Sequence, residues 1–244
     1  DKLLPMQRGD FTEIFKIMGE RPCTIRDQLM VDQATYPKLR VPFVTTVADH
    51  AQASIESLRA IDRATSADTI VAALTNAQAY DDLAKMFLFM LPKREAVWLI
   101  CLWARGQEGA RQIAGMEVVP SKALGLAEEW VRTQDDALRY KAQAAADAEE
   151  MNGPGPWAGM ASFWSGKSLA PPERDPVAPD DAMTGIAGVC ALALAAAEGD
   201  MGRPFLGYDA CAELGRDLGQ GGSGSGVLEA ALARYAEEHE RSKS

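Results

Sequence analysis

Between Ala96 and Ala104 the chain reads AVWLICLWA, without a charged residue, between Lys93-Arg94-Glu95 on one side and Arg105 on the other. Wound as a helix, this stretch is apolar around most of its circumference, so neighbours must cover it on several sides. Pro92 reads as a first-turn residue of that helix, where a missing N–H costs nothing. Arg105 and Gly106 read as its end. A chain organised around such a segment needs other helices to wrap it, and the rest of the sequence supplies them.

Strand signals, meaning alternating β-branched runs joined by Asn-Gly turns, are nearly absent. In DFTEIFKIMG, Asp10 to Gly19, the residues Phe11, Ile14, Phe15 and Met18 form one helical stripe between a capping Asp and a terminating Gly. A prolonged helix is expected from Thr46 to Arg63, with Val47, Ile55, Leu58 and Ile61 facing the core. Ser66 starts a shorter helix, and Asp81 to Leu91 carries Leu83, Met86, Phe87 and Met90. Ser121–Arg132 and Thr133–Glu150 read as consecutive helices, the second opened by a Thr-x-x-Asp capping box at Thr133. A short aromatic helix (156–165) and a proline-rich loop precede the last pair of the body, 180–198 and 204–218.

The expected fold is therefore all-α: a compact bundle of stacked helical hairpins with an N-terminal arm and a tethered C-terminal helix. Residues 1–63 form the arm and first helices, and residues 64–218 the body. Residues 219–226, GQGGSGSG, read as a flexible linker, natural or engineered. Residues 227–244 form an amphipathic helix with Leu228, Leu232 and Tyr235 on one face. The two apolar stripes, Phe11/Ile14/Phe15/Met18 and Leu228/Leu232/Tyr235, either lie in a partner's groove or cover the chain's own core.

Charge narrows the choice of partners. Thirty-five acidic against 25 basic residues leave a formal net charge of -10. That argues against a general nucleic-acid binder and against adsorption to anionic lipid. The longest apolar run, Ile186 to Ala197, has 12 residues. A membrane span needs about 20, so this run reads as a buried helix. Cys23, Cys101, Cys190 and Cys211 are widely spaced, and no leader pattern opens the sequence. Both features point to a reducing, cytoplasmic setting.

ASFWSGKS, Ala161 to Ser168, fits the loose phosphate-binding-loop pattern. Such a loop needs a strand before it, small residues within it and a helix after it. Here Phe163 and Trp164 occupy the loop, and Pro171 and Pro172 interrupt the segment beyond it. The match reads as coincidence, with Gly166 capping a helix. Two histidines, His50 and His239, and no closely spaced cysteines offer no metal set. The acidic pairs, among them Asp135-Asp136, read as solvated faces and caps. No catalytic residue, cofactor or metal is therefore expected. Lys93, Arg94 and Glu95 stand out as a polar trio beside the most apolar helix.

LPKREAVWLICLWARG, AEEWVR and WAGMASFWSGKSLAPPE together resemble an uncharacterised bacterial family of small helical proteins. Its central helix is similar to LPRREAVWW and its later motif to FWSGGSLAP. The resemblance runs from about Ser66 to Leu218 and makes Arg94, Glu95, Trp98, Trp164 and Gly166 signature positions. Lys167 stands where the family often carries Gly, which implies that this lysine is dispensable. That family looks associated with type VI secretion gene clusters, and the resemblance implies such a setting here. The expectation is a non-enzymatic adaptor, chaperone or accessory component that binds another protein, plausibly within a secretion system. One alternative is an enzyme with a Trp-lined pocket and Glu95 or Asp135 as general base. Another is a structural subunit of a homo-oligomer.

Overall fold

The computed structural model describes residues 35–41, 43–171, 173–199 and 202–243. Eleven helices and no strand occur among them. The apolar run from Ala96 to Ala104 lies within α5 (Lys93–Ile113), whose Val97, Leu99, Cys101 and Trp103 are buried. On one side α5 packs against α6 (Lys122–Thr133), α8 (Pro154–Trp164) and α9 (Met183–Glu198), with α7 (Asp136–Ala148) joined to α6 and α8. On the other side lie α4 (Tyr80–Met90) and α10 (Tyr208–Gln220). The short α1 (Val44–His50) packs on α4, and α2 (Ile55–Ala60) on α3 (Ala67–Asn76), itself against α4. α11 (Ser225–Lys243) lies along α5 and α10. One apolar cluster joins nearly all of these elements, from Tyr36 to Ala231.

Several boundaries differ from the sequence reading. The single helix expected from Thr46 to Arg63 is broken into α1 and α2. Gln52 takes a positive φ of 51°, and Ser54 caps α2 by accepting from the Ser57 N–H at 3.2 Å. Val47 and Ile61 are buried as expected, but Ile55 is 63% exposed and Leu58 is exposed with it. Pro92 is the extended residue before α5 rather than its first helical residue. Gly106 lies inside α5, which continues to Ile113. Thr133 is the last residue of α6, Gln134 turns left-handed, and Asp135 caps α7 by accepting from Ala137 N–H at 3.0 Å.

The largest difference is at the Gly/Ser stretch. α10 runs on through Gln220, and α11 begins at Ser225, leaving a turn of residues 221–224. Gly221 ends α10 with φ 95°, a conformation that favours glycine. Asp217 then accepts from Gly224 N–H at 2.7 Å, and the Trp98 indole donates to Ser223 O at 2.8 Å. A tether would show neither bond.

One polar anchor holds the first helices to the body. Asp82, on α4, is 2% exposed, accepts from Ser54 N–H at 2.9 Å and pairs with Lys85 at 3.0 Å. Burial pushes its carboxyl up, but the hydrogen bonds from Ser54 and Lys85 prevail and hold it below the ordinary value of 3.8. A carboxyl whose pKa is depressed on folding contributes stability above its unfolded value and loses it as pH falls through the folded value. Asp82→Ala should therefore cost about 2 kcal/mol at neutral pH. The stability gap between wild type and variant should narrow below pH 3.8 in urea titrations. A gap independent of pH would mean that the carboxylate charge contributes nothing to the anchor.

Candidate functional site

Two of the polar trio in the first turn of α5, Arg94 and Glu95, line a cleft of about 300 Å³ between the start of α5, the end of α6 and the turn after α10, whereas Lys93 pairs with Asp181 at 2.9 Å away from it. α5 contributes Arg94 and Glu95 and, one helical turn on from both, Trp98. α6 contributes Val131 and Arg132, the turn contributes Gly221 to Ser223, and Lys38 reaches in from the N-terminal side. Backbone bonds set that approach, because Lys38 N–H donates to Gly219 O at 3.0 Å and Arg40 N–H to Met90 O at 2.7 Å.

Each side chain at the cleft is oriented by a specific contact. Arg94 Nε donates to Val131 O at 2.9 Å, satisfying a carbonyl at the C-terminal end of α6. Its two terminal amino groups have no hydrogen-bonded partner among the described residues. Lys38 Nζ pairs with Glu95 Oε1 at 3.0 Å. Arg132 is exposed and has no ion pair or hydrogen bond from its side chain among the described residues. The Trp98 ring is fixed by its bond to the turn. The cleft thus holds three cations against one carboxylate, in a chain whose net charge is -10.

Trp164 and Gly166, the other two signature positions, serve a different place. Trp164 packs edge-on to Trp157, with centroids 6.3 Å apart. Gly166 lies against Arg139, a residue the sequence reading missed. Arg139 is 2% exposed, bonds Asp136 through Nε at 2.7 Å and donates from Nη1 to Phe163 O at 2.7 Å and Ser168 O at 3.3 Å. The loop of the Gly-Lys-Ser element therefore turns carbonyls, not amides, toward its centre, and a cation already sits there. Ser168 Oγ accepts from Ala170 and Val177 N–H groups, while Lys167 is exposed. Ser165, rather than Gly166, is the cap residue of α8. A phosphate has no place in this arrangement.

Of the stripe residues, Phe11, Ile14, Phe15 and Met18 lie outside the described residues. Leu228 packs at Gly106 and Leu232 at Gly109, both on α5, and Tyr235 stacks on His239. The α11 stripe covers the chain's own core. The acids weighed as general bases are both engaged, Glu95 with Lys38 and Asp135 as the α7 cap. The tryptophans do not gather round one pocket: Trp103 is buried beside Tyr208, Trp130 is buried in α6, and Trp98 is the one that lines this cleft.

A second cleft of about 320 Å³ lies between α5, α6 and α8. Its acids are engaged: Glu198 pairs with Arg111 at 3.3 Å, Glu108 with Arg105 at 2.7 Å, and Glu149 accepts from Ser121 Oγ at 2.6 Å and Ala123 N–H at 3.0 Å. Burial pushes the thiols of Cys101 and Cys211 up, so neither is a ready nucleophile. No cluster of three or more His, Cys, Asp or Glu that could hold a metal ion occurs among the described residues. None of their helices is long and apolar enough to cross a membrane.

No curated protein and no solved structure matches the chain. A family model does match, over residues 70–219, which is more than half of the sequence and includes Arg94, Glu95, Trp98, Arg132 and Gly166. Lys38 and the turn residues Gly221 to Ser223 lie outside that span. The chain belongs to this family, DUF6931, a family of unknown function.

Proposed function

We propose that this chain is a non-enzymatic, protein-binding adaptor, chaperone or accessory component that receives its partner at the Arg94–Trp98–Arg132 cleft. The observation that carries the reading is the convergence of two arginines with unused N–H groups and a fixed tryptophan in one open cleft. Arginine and tryptophan are the side chains that most often dominate binding energy at protein interfaces. The resemblance to a family associated with type VI secretion gene clusters makes a secretion-apparatus protein the first partner to seek. The setting is the bacterial cytoplasm, in keeping with unbridged Cys101, Cys190 and Cys211. The test is co-purification from the native host. The wild-type chain should bring down one protein in stoichiometric amount, and the double variant Arg94→Glu, Arg132→Glu should lose it. Recovery unchanged by the double variant would take the partner away from the cleft.

A homo-oligomeric role is favoured by a separate observation. The run from Ile186 to Ala197, expected to be buried, has an outer face: Ile186 is 44% exposed, Ala193 and Ala197 are exposed, and Val189, Cys190 and Leu194 are half-buried. No charged residue interrupts α9 before Glu198. Such a face at a subunit contact would give a mass above that of the 26.3 kDa monomer in light scattering, and Ile186→Lys should return it to the monomer. A monomeric wild type at high micromolar concentration would discard this role.

A further inference from the structure

We infer that the cleft takes an acidic peptide segment, with carboxylates on the guanidinium groups of Arg94 and Arg132 and an apolar side chain against Trp98. The inference rests on the protein-binding reading and names the chemistry of the partner. The volume, about 300 Å³, suits a few side chains of an extended segment rather than a folded surface. Within the cleft Lys38 and Glu95 neutralise one another at 3.0 Å, so the unbalanced charge is that of the two arginines. Arg94 spends Nε on Val131 O, which also answers the negative end of the α6 dipole. That bond fixes the guanidinium plane and leaves Nη1 and Nη2 as a pair, the geometry that matches two oxygens of one carboxylate. Arg132, in the last turn of the same helix, offers a second fork. Trp98 is held to Ser223 O at 2.8 Å, so an apolar side chain meets a wall that has no rotamer freedom left to lose. Binding to an acidic segment is also self-limiting. The net charge of the chain, -10, disfavours non-specific adsorption of such a segment to the surface as a whole.

The probe is the fluorescein-labelled hexapeptide Leu-Glu-Glu-Leu-Glu-Glu, with Leu-Gln-Gln-Leu-Gln-Gln as its neutral counterpart, titrated with the full chain by anisotropy. The acidic peptide should bind at least about 10-fold more tightly, and the advantage should shrink as salt is raised. Arg94→Gln and Arg132→Gln should each weaken it by about 10-fold, a charge-assisted bond lost in each case. Arg132→Gln touches no other contact of the fold, so its effect is not one of misfolding. Glu95→Gln should strengthen binding by removing the one carboxylate in the cleft. Equal binding of the two peptides, or binding unchanged in the two arginine variants, would overturn the inference. So would complete competition by millimolar inorganic phosphate, which would make this a small-anion site. If the acidic peptide fails while the double charge reversal still abolishes co-purification, the acidic-segment inference falls and the protein-binding reading stands. If co-purification survives that reversal, the partner binds elsewhere and the cleft loses its place in the protein-binding reading.

Discussion

Replacing Gly166 by alanine is expected to lower stability by roughly 3 kcal/mol, the cost of overpacking a site whose neighbour cannot yield. A Cβ at this position would overlap the Arg139 guanidinium. Arg139 is not a surface side chain that swings aside. It is 2% exposed, held by Asp136 and the carbonyls of Phe163 and Ser168, and lies over the Tyr140 ring at 5.1 Å. Moving it would break its hydrogen bonds to two partly buried carbonyls, those of Phe163 and Ser168. Lys167→Gly, one residue on, should change stability by less than about 0.5 kcal/mol, as exposed sites without partners do. The pair of variants separates two readings of the same letters, because a phosphate-binding loop would make the lysine the indispensable residue. Urea unfolding of both checks it. A neutral Gly166→Ala would mean that Arg139 has room the packing does not give it.

The second large effect is expected at Ala231. It is 2% exposed within α11, the helix that composition presents as a tethered appendage. Ala231→Asp would place a carboxylate in the apolar seam where α11 meets α5 and α10. The expected cost is about 3 kcal/mol or more, because a buried charge without a partner must either stay desolvated or drive the helix off. On undocking, Leu228 and Leu232 would leave Gly106 and Gly109 bare, so unfolding of the body and of α11 should coincide in one transition. A tethered helix predicts the reverse: a body of unchanged stability and a separate loss of helical signal. Calorimetry beside circular dichroism distinguishes them.

The central helix and the all-α class were legible because their signal is periodic and long: nothing but burial on several sides suits AVWLICLWA. Boundaries were less legible where helices end on an unexpected residue. Gln52, Gln78 and Gln134 all adopt positive φ after a helix, a role usually signalled by Gly or Asn. That choice hid the break between α1 and α2 and moved the apparent capping box onto Thr133. At Gly219 to Gly226 the error was the opposite, because glycines needed for a tight turn and close packing have the composition of a tether. Half of the cleft was visible. Arg94, Glu95 and Trp98 share one helical face and adjoin an apolar run. Arg132 and Lys38 come from other elements and became neighbours only through the packing of α6 and residues 35–41. Arg139 left no trace in sequence, since one arginine in an Ala-rich helix looks like any solvated one.

Crosslinking reads most directly where the partner sits. A photo-crosslinking side chain placed at Ser223, whose carbonyl and not its side chain holds Trp98, would report on the cleft rim. The same group at Lys141, which lines a separate depression between α6 and α7, serves as the comparison. Illumination in the native host should link Ser223, and not Lys141, to one protein, and the peptide joined should carry clustered Asp or Glu. Links formed equally from both positions, or from Lys141 alone, would contradict the assignment of the cleft as the binding site.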